Sequence, residues 1–255
     1  MQVNISKVKT EIIQWIKDWY RENGGSDTYN MKIIIGMSGG KDSTICAKLC
    51  ALAIGEENVI GLGMPSNGQG YNNIEEICQN IGIRCIKNPI GRIINAIEDS
   101  TKLEEKDIEL SEQAKQNIPP RIRTAVLYAY AQTINGRVCC TDNASENYLG
   151  YSTFGGDDLG AFSPLGNLTV TEVRELGLAI GLPKEWVMKI PDDGLPYSSS
   201  DEEKFGFSYT TLDKYIRMIE IPKDKIREKI DNMHIKSQFK RDIIRVPAYE
   251  PKLWP

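Results

Sequence analysis

The stretch MKIIIGMSGGKDSTICAKLCALA (31–53) contains a short apolar run, a turn rich in glycine and serine, and a second apolar run at helical spacing. Turns of this kind between a strand and a helix commonly bind phosphate, because backbone N–H groups and the amino end of the helix point at one anion. Several unrelated folds contain such a turn, so the spacing of its residues decides which one is present.

Two common phosphate-binding turns are excluded by that spacing. A Walker loop, G-x4-G-K-[ST], requires one more residue between Gly36 and the lysine, and this chain has Asp42 where the loop requires Ser or Thr. A dinucleotide-binding loop, G-x-G-x-x-G, would place glycine where this chain has Ser38 and Lys41. Neither fingerprint fits the opening stretch.

The remaining pattern, S-G-G-x-D-S, has the chemistry of an anion site. Gly39 and Gly40 allow backbone N–H groups to converge, and Ser38 and Ser43 add hydroxyl donors. Asp42 offers a hard oxygen ligand for Mg²⁺ at the start of the following helix. The alternative is a purely structural turn, in which Asp-Ser only caps the helix.

Strands and helices alternate along the chain. Apolar runs predict strands at 32–37, 58–64, 83–87 and 137–141, and helical patterns lie at 5–20, 42–54, 71–81, 118–134, 169–180, 208–219 and 222–234. This alternation predicts an α/β fold whose parallel sheet is flanked by helices on both faces. Functional residues are then expected at the carboxyl ends of the strands.

The chain has 255 residues, of which 40% are hydrophobic, and this suits one large domain. We predict a single domain over 1–255, with a helix at about 5–22 and a tail at about 235–255 as appendages. The charged segment 99–117 is expected to form an exposed loop or a mobile helix. The Gly-, Asp- and Ser-rich segment 142–168 is expected to be a functional loop.

Composition narrows the classes of partner and compartment. A formal net charge of -4 and a pI of about 5.3 argue against a nucleic-acid partner, which usually requires a basic face. Six cysteines without a C-x-x-C pair indicate reduced thiols that pack as small hydrophobes. No signal peptide and no membrane-spanning apolar run is visible, so a cytoplasmic protein without a membrane partner is expected.

The S-G-G-x-D-S turn resembles the signature loop of the ATP pyrophosphatases, which cleave ATP between the α and β phosphates. Within that superfamily, three further segments resemble the ammonia-dependent NAD⁺ synthetase family: TDNASENYLGY (141–151), SPLGNLTVTEVRELGLAIGLPKEWVMKIPDDGL (163–195) and SDEEKFGFSYTTLDKYI (200–216). The likeness runs from about residue 30 to about 240. It implies a Rossmann-like, three-layer fold of the adenine nucleotide α-hydrolase type.

The resemblance also implies a reaction. The nicotinate carboxylate of deamido-NAD⁺ attacks the α-phosphate of ATP, pyrophosphate leaves, and ammonia displaces AMP to form the amide, with Mg²⁺ stabilising the developing charge. No second catalytic domain for glutamine hydrolysis is present in this chain, so free ammonia is the expected nitrogen donor. Members of the family form homodimers with deamido-NAD⁺ across the interface, and the helix that carries Trp15 and Trp19 would suit such an interface.

Site residues follow from matching this sequence to the family's motifs. Asp42 and Glu146 match two carboxylate ligands of Mg²⁺, and Asp42 and Lys41 are the catalytic candidates. Arg121, within N-x-x-x-R-x-R, is expected to face deamido-NAD⁺. The predicted ATP contacts are Gly36, Met37, Ser38, Gly39, Gly40, Lys41, Asp42, Ser43, Met64, Gln69 and Thr141.

The family has a His-Lys pair near its carboxyl terminus that contacts deamido-NAD⁺. His234 with Lys236 resembles this pair with one residue inserted, and both are predicted to bind deamido-NAD⁺. Phe239 and Lys240 are the competing match, in which the histidine is lost.

Several positions depart from the family pattern. Phe154 and Val170 replace lysines that contact deamido-NAD⁺ and ATP phosphate, Ala161 replaces an aspartate, and Asp192 replaces a Ser or Thr. Valine and phenylalanine supply no positive charge near phosphate. Three explanations compete: another lysine supplies the charge, the substrate differs, or turnover is weak. We favour the first, with Lys41, Lys184 and Lys189 as the candidate lysines.

Two other functions remain open at this stage. An enzyme that adenylylates a tRNA base would usually have a basic face and a catalytic cysteine pair, and the acidic pI and the absence of a C-x-x-C pair argue against it. A nucleotide-binding subunit without turnover is suggested by the departures at Phe154, Ala161 and Val170. Release of pyrophosphate distinguishes this subunit from an enzyme.

Overall fold

The computed structural model describes residues 2–24, 31–66, 73–101, 109–189, 200–243 and 249–254. In chain order its elements are β1 (Gln2–Val3), α1 (Ile5–Glu22), β2 (Lys32–Met37), α2 (Lys41–Ile54), β3 (Val59–Gly63), α3 (Ile74–Ile81), β4 (Arg84–Lys87), α4 (Gly91–Thr101), α5 (Glu112–Thr133), β5 (Gly136–Cys139), α6 (Ala144–Leu149), α7 (Val170–Ala179), α8 (Lys184–Val187), α9 (Asp201–Phe205), α10 (Tyr209–Ile216), α11 (Asp224–Lys236), α12 (Gln238–Ile243) and β6 (Leu253–Trp254).

Four of the strands form a parallel sheet in the order β4-β3-β2-β5. Ile33 is paired with Val59 on one side and with Arg137 on the other, so β2 has a neighbour along both edges. Its apolar residues are buried, as expected for a strand covered on both faces. The predicted α/β fold with a parallel sheet is confirmed.

The order of the strands creates a crevice. From β2 the chain extends the sheet in one direction through β3 and β4, and it then returns to place β5 on the other side of β2. The connections that leave β2 and β5 therefore diverge at their carboxyl ends. Ligands of open α/β sheets bind at such a point.

Two layers of helices cover the sheet. On one face, α1, α2 and α7 pack in a core cluster with residues such as Ile33, Ile45 and Val173. On the other face, α4 and α5 pack in a second cluster with residues such as Ile34 and Leu127. This arrangement confirms the three-layer expectation.

Helix α1 belongs to the first core cluster. Its buried stripe includes Ile12, Ile16 and Trp19, and the Trp19 ring stacks on Phe162 with centroids 4.2 Å apart. Trp15 packs against the same phenylalanine. The two tryptophans thus contact this chain's own core, so α1 packs in the first core cluster rather than standing apart from it. An interface between two copies along this helix stays a prediction.

The described part of the carboxyl-terminal region contains more regular structure than the tail predicted at 235–255. Helix α11 is followed by α12, and β6 pairs antiparallel with β1, so the two ends of the described chain meet. Helix α5 also begins earlier than predicted, because Ser111 caps it by accepting a hydrogen bond from Ala114 N, and it continues through Pro119 and Pro120.

No helix among the described residues has the length and apolar character needed to cross a bilayer. All six cysteines lie within the described ranges and are free thiols, and five of them are buried.

Replacing Trp19 with alanine tests whether α1 is part of the core. We expect Trp19→Ala to lower the free energy of unfolding by about 3–5 kcal/mol, because a stacked and buried ring is lost. Urea unfolding followed by circular dichroism gives this value. Leu178→Ala, at a side chain that is 42% exposed on α7, is the control and should cost under about 1 kcal/mol. A loss that depends on protein concentration would instead indicate an interface.

Candidate active site

A cavity of about 410 Å³ lies where β2 and β5 end. Its walls come from the turn after β2, from the residue that follows β3, from α5 and from the segment after β5. The lining residues include Gly36, Ser38, Asp42, Met64, Thr141 and Glu146. The sequence motif and the divergence of the strands thus meet at one place.

The turn between β2 and α2 is shaped by its own hydroxyl groups. Gly39 has a φ of 79°, a left-handed conformation that favours glycine. Ser38 Oγ accepts a hydrogen bond from Gly40 N at 3.1 Å, while Ser43 and Thr44 donate to Gly40 O at 3.2 and 2.8 Å. These bonds hold the turn against the amino end of α2, which is the arrangement expected of an anion site.

Asp42 is held by partners on both of its oxygens. Lys41 Nζ lies 2.6 Å from Oδ2, and Asn143 Nδ2 donates to Oδ1 at 3.4 Å. The Lys41 side chain is only 3% exposed. Burial lowers the pKa of Lys41, but the charges of Asp42 and Glu146 raise it by more, so this ammonium stays protonated. Lys41 therefore balances acidic charge at the base of the cavity.

Glu146 is positioned by a capping box at the start of α6. Asn143 Oδ1 accepts hydrogen bonds from Ser145 N and Glu146 N, both at 3.1 Å, and Glu146 Oε2 accepts one from Asn143 N at 3.3 Å. Burial, reinforced by the charge of Asp42, raises the pKa of Glu146 to about 8. The same asparagine contacts Asp42, so it links the two predicted metal ligands.

Asp142 adds a third carboxylate at the cavity wall. It is buried, and its Oδ2 has no hydrogen-bond partner among the described residues. Burial and the neighbouring Asp157 raise its pKa well above the ordinary value. Sequence reasoning missed this residue, although its place three residues beyond the end of β5 was a signal.

The donor set fits Mg²⁺ held jointly by protein and substrate. Asp42 and Glu146 are hard oxygen donors whose mutual repulsion a divalent cation would relieve. Within the described ranges, no group of three or more His, Cys, Asp or Glu side chains is arranged to hold a metal alone. Mg²⁺ commonly uses one or two carboxylates together with substrate phosphates, so two protein ligands suffice.

The predicted ATP contacts are largely brought together. Met37, Met64 and Thr141 line the cavity beside the turn, and Arg123 Nε donates to Met64 O at 3.0 Å. Gln69 lies outside the described residues. The cavity also contains Tyr151 and Asp157, which the sequence did not single out because both lie in an irregular segment.

The residues predicted to contact deamido-NAD⁺ lie at different places on the structure. Arg121 is exposed near the cavity rim, with Nε donating to Phe154 O at 3.2 Å. His234 stacks on Tyr148 and donates from Nδ1 to its carbonyl oxygen at 2.8 Å. Lys236 is not brought to the cavity; it lies at a separate depression that also contains Lys225.

The competing match places its lysine beside the site. Lys240 Nζ donates to Gly150 O at 2.7 Å and to Ser152 O at 2.5 Å, in the segment that follows α6. Of the lysines proposed to replace the missing charge, Lys184 and Lys189 are exposed and do not line the cavity among the described residues. Asp192 lies outside those residues.

The other departures are absorbed by packing. Val170 is fully buried at the start of α7, and its N–H donates to Ser145 Oγ at 3.0 Å. Ala161 packs against the first core cluster and donates to Val138 O at 2.7 Å. A lysine at the first position or an aspartate at the second would face apolar neighbours here.

Comparisons with known proteins point to one family. The family model for NAD synthase matches residues 9–247. The NH(3)-dependent NAD(+) synthetase of Methanococcus aeolicus is 37% identical over 196 residues, which are 76% of each chain. That of Thermococcus sibiricus is 33% identical over 256 residues, which cover 98% of this chain and 96% of the relative.

Solved structures agree with the fold. The NMN synthetase from Francisella tularensis superposes with a TM-score of 0.84 at 28% identity, covering 96% of this chain and 99% of that chain. The NH3-dependent NAD synthetase from Campylobacter jejuni superposes with a TM-score of 0.72 at 25% identity, covering 95% and 99%. Each of these similarities covers at least 95% of this chain, so it concerns the fold as a whole.

Replacing Glu146 with glutamine tests the electrostatic strain at the site. The folded state holds the Glu146 proton up to about pH 8, whereas the unfolded chain loses it near 4.5, so ionisation costs stability as the pH rises between these values. Glutamine keeps the acceptor for Asn143 without this cost. In metal-free buffer, we expect the Tm advantage of Glu146→Gln to grow by roughly 10 °C from pH 5 to pH 8 and then to level off.

Scanning calorimetry at several pH values checks this prediction. Glu228→Gln, at the separate depression on α11, is the matched control and should show no such trend. A constant difference between wild type and Glu146→Gln across the pH range would contradict a raised pKa for Glu146.

Proposed function

Because the chain belongs to the NAD synthase family, we propose that it is an ammonia-dependent ligase that converts deamido-NAD⁺ to NAD⁺. The observation that carries the proposal is the cavity where β2 and β5 end, which is lined by the S-G-G-x-D-S turn with its Asp42 and, from the other side, by Glu146. This combination of an anion site with carboxylates suits a nucleoside triphosphate whose phosphates are bound together with a cation.

The reaction has two steps. An oxygen of the nicotinate carboxylate attacks the α-phosphorus of ATP, the bond to the β-phosphate oxygen breaks, and pyrophosphate leaves. Ammonia then attacks the carboxyl carbon of the mixed anhydride, AMP leaves with the anhydride oxygen, and the nitrogen loses one proton. Adenylylation is needed because a carboxylate oxygen is a poor leaving group.

The turn after β2 is proposed to bind the phosphates. Backbone N–H groups near Gly39 and Gly40, with the amino end of α2, would stabilise the charge that develops on the departing pyrophosphate. Ser38 and Ser43 would orient these donors through the hydrogen bonds that define the turn. Met64 and Thr141 would contact the adenosine moiety from the cavity wall.

Asp42 and Glu146 are proposed to hold Mg²⁺. When bound, the ion neutralises charge on the polyphosphate and makes the α-phosphorus more electrophilic. Asn143 would keep the two carboxylates in register, because it caps α6 and also contacts Asp42. Lys41, whose Nζ lies 2.6 Å from Asp42 Oδ2, would offset part of the acidic charge when no metal is present.

The oligomeric state and the cellular location are also proposed, from the family resemblance. We infer a homodimer in which deamido-NAD⁺ binds at the subunit interface, and a cytoplasmic location consistent with six free thiols. Light scattering coupled to gel filtration should give a mass near twice 28.6 kDa, and a mass near 28.6 kDa would contradict the dimer.

The activity is tested by incubation with ATP, MgCl₂, deamido-NAD⁺ and ammonium chloride. We expect AMP and NAD⁺ in equal amounts, measured by chromatography. Asp42→Asn should lower kcat by at least about 100-fold, because the negatively charged carboxylate that would bind Mg²⁺ beside the phosphates is lost. Tight binding of ATP without AMP release would indicate a non-catalytic nucleotide-binding protein.

The control separates lost chemistry from lost folding. Asp42→Asn leaves the buried Lys41 ammonium unpaired, so its Tm should be measured beside that of Asp42→Asn combined with Lys41→Met. Asp224→Asn, at a side chain that is 86% exposed, should retain wild-type activity. A folded double variant with wild-type turnover would refute the role of Asp42.

A further inference from the structure

Two phenylalanine rings lie together at the protein surface. Phe154, in the segment after α6, and Phe239, on α12, have ring centroids 5.8 Å apart and tilted by 56°. Phe239 is 53% exposed and Phe154 is half-buried. Burial does not account for this contact, because much of the ring area stays in water.

The aromatic pair lies next to the cavity rather than inside it. Tyr151 and Asp157, three residues to either side of Phe154, line the cavity, and so does Pro120. Arg121, which follows that proline, donates from Nε to Phe154 O at 3.2 Å. A ligand that extends out of the cavity past Pro120 would therefore meet the two rings.

The segment that carries Phe154 is held in place by several hydrogen bonds. Lys240, next to Phe239, donates to the carbonyls of Gly150 and Ser152. Thr153 donates through Oγ1 to Asn117 Oδ1 at 3.0 Å and through its backbone N–H to Asp157 Oδ1 at 2.7 Å. The rings are thus presented on a braced backbone, which lowers the cost of ordering them when a ligand binds.

The chemistry around the rings suits one part of a nucleotide. Aromatic faces bind planar bases, and the exposed Arg121 guanidinium beside them can pair with a phosphate. The cavity, at about 410 Å³, is near the lower end of the range for pockets that hold one small ligand. Since ATP occupies the phosphate-binding turn, most of a dinucleotide must extend beyond the rim.

We propose that Phe154 and Phe239 form a stacking subsite for the distal nucleoside of the dinucleotide substrate, with Arg121 facing its phosphate. The nicotinate end must enter the cavity, because its carboxylate reacts there. The adenosine end is then the planar group left outside, next to the two rings. This inference rests on the proposed function and adds a determinant of specificity for a dinucleotide over a mononucleotide.

Steady-state kinetics of Phe154→Leu and Phe239→Leu test the proposal. We expect the KM for deamido-NAD⁺ to rise about tenfold in each variant, because stacking of one base is lost. The KM for ATP and kcat should stay within about twofold of wild type. Nicotinate mononucleotide, which has no distal nucleoside, should show an unchanged KM, or an unchanged inhibition constant if it is not turned over.

Two controls isolate the ring itself. Phe239→Tyr retains an aromatic face and should keep a wild-type KM for deamido-NAD⁺. Ile235→Ala removes a 68% exposed apolar side chain from the preceding helix and should also leave that KM unchanged.

The outcomes separate this inference from the proposed function. An unchanged KM for deamido-NAD⁺ in both leucine variants would overturn the subsite, as would an equal rise for ATP or for the mononucleotide, which would indicate a purely structural pair. Calorimetry of deamido-NAD⁺ binding without ATP gives a second measurement. Binding weakened by the leucine substitutions in a protein without turnover would support the subsite and refute the ligase, whereas absence of binding by wild type would refute both.

Discussion

The parallel pairing of β2 with β5 is the constraint on which the site depends. The remaining strands extend the sheet only beyond β2's other edge, so the segments that follow β2 and β5 leave two adjacent strands at the same end of the sheet and border one crevice. Ser38 follows one strand and Thr141 follows the other, and both line the cavity. Segments about 100 residues apart in sequence therefore meet without any long loop to join them. The hydrogen bond from Asn143 to Asp42 ties the two sides together.

The acidic charge concentrated in that crevice opposes folding, but it favours the binding of a divalent cation. Burial raises the pKa values of Asp142 and Glu146, and their neighbouring carboxylates add to the effect. Lys41, paired with Asp42 at 2.6 Å, offsets only part of this charge. A cluster with excess negative charge gains most when a divalent cation and a polyphosphate arrive together, because each ligand neutralises the other. Sites with this property commonly have strongly shifted pKa values in a cleft.

Periodicity and motif spacing predict the sheet, the glycine-rich turn between β2 and α2 and both helical layers, because these features depend on local patterns. What periodicity does not encode is the surface that an amphipathic helix meets. Trp15 and Trp19 have the same spacing whether they face a second copy or the stacked Phe162. Sequence alone does not decide between Lys236 and Lys240 for a related reason: their positions depend on where α11 ends and α12 begins. Four residues separate an ammonium at a separate depression from one that donates to the carbonyls after α6. Burial without a hydrogen-bond partner, as at Asp142, is visible only in three dimensions.

The departures from the family pattern are consistent with a site that relies on different contacts rather than one that has decayed. Val170 is uncharged and lies in a buried cluster, and the ammonium of Lys41 is paired with Asp42, so neither side chain offers a cation to the substrate. Phe154 instead contributes a ring beside Arg121, whose guanidinium is already oriented by the Phe154 carbonyl. One cation placed by the backbone, combined with stacking on a braced segment, can replace a flexible lysine, because less side-chain entropy is lost when the ligand binds. On this argument, binding of the dinucleotide should depend less on salt concentration than binding that relies on two mobile lysines, since stacking is not screened by ions.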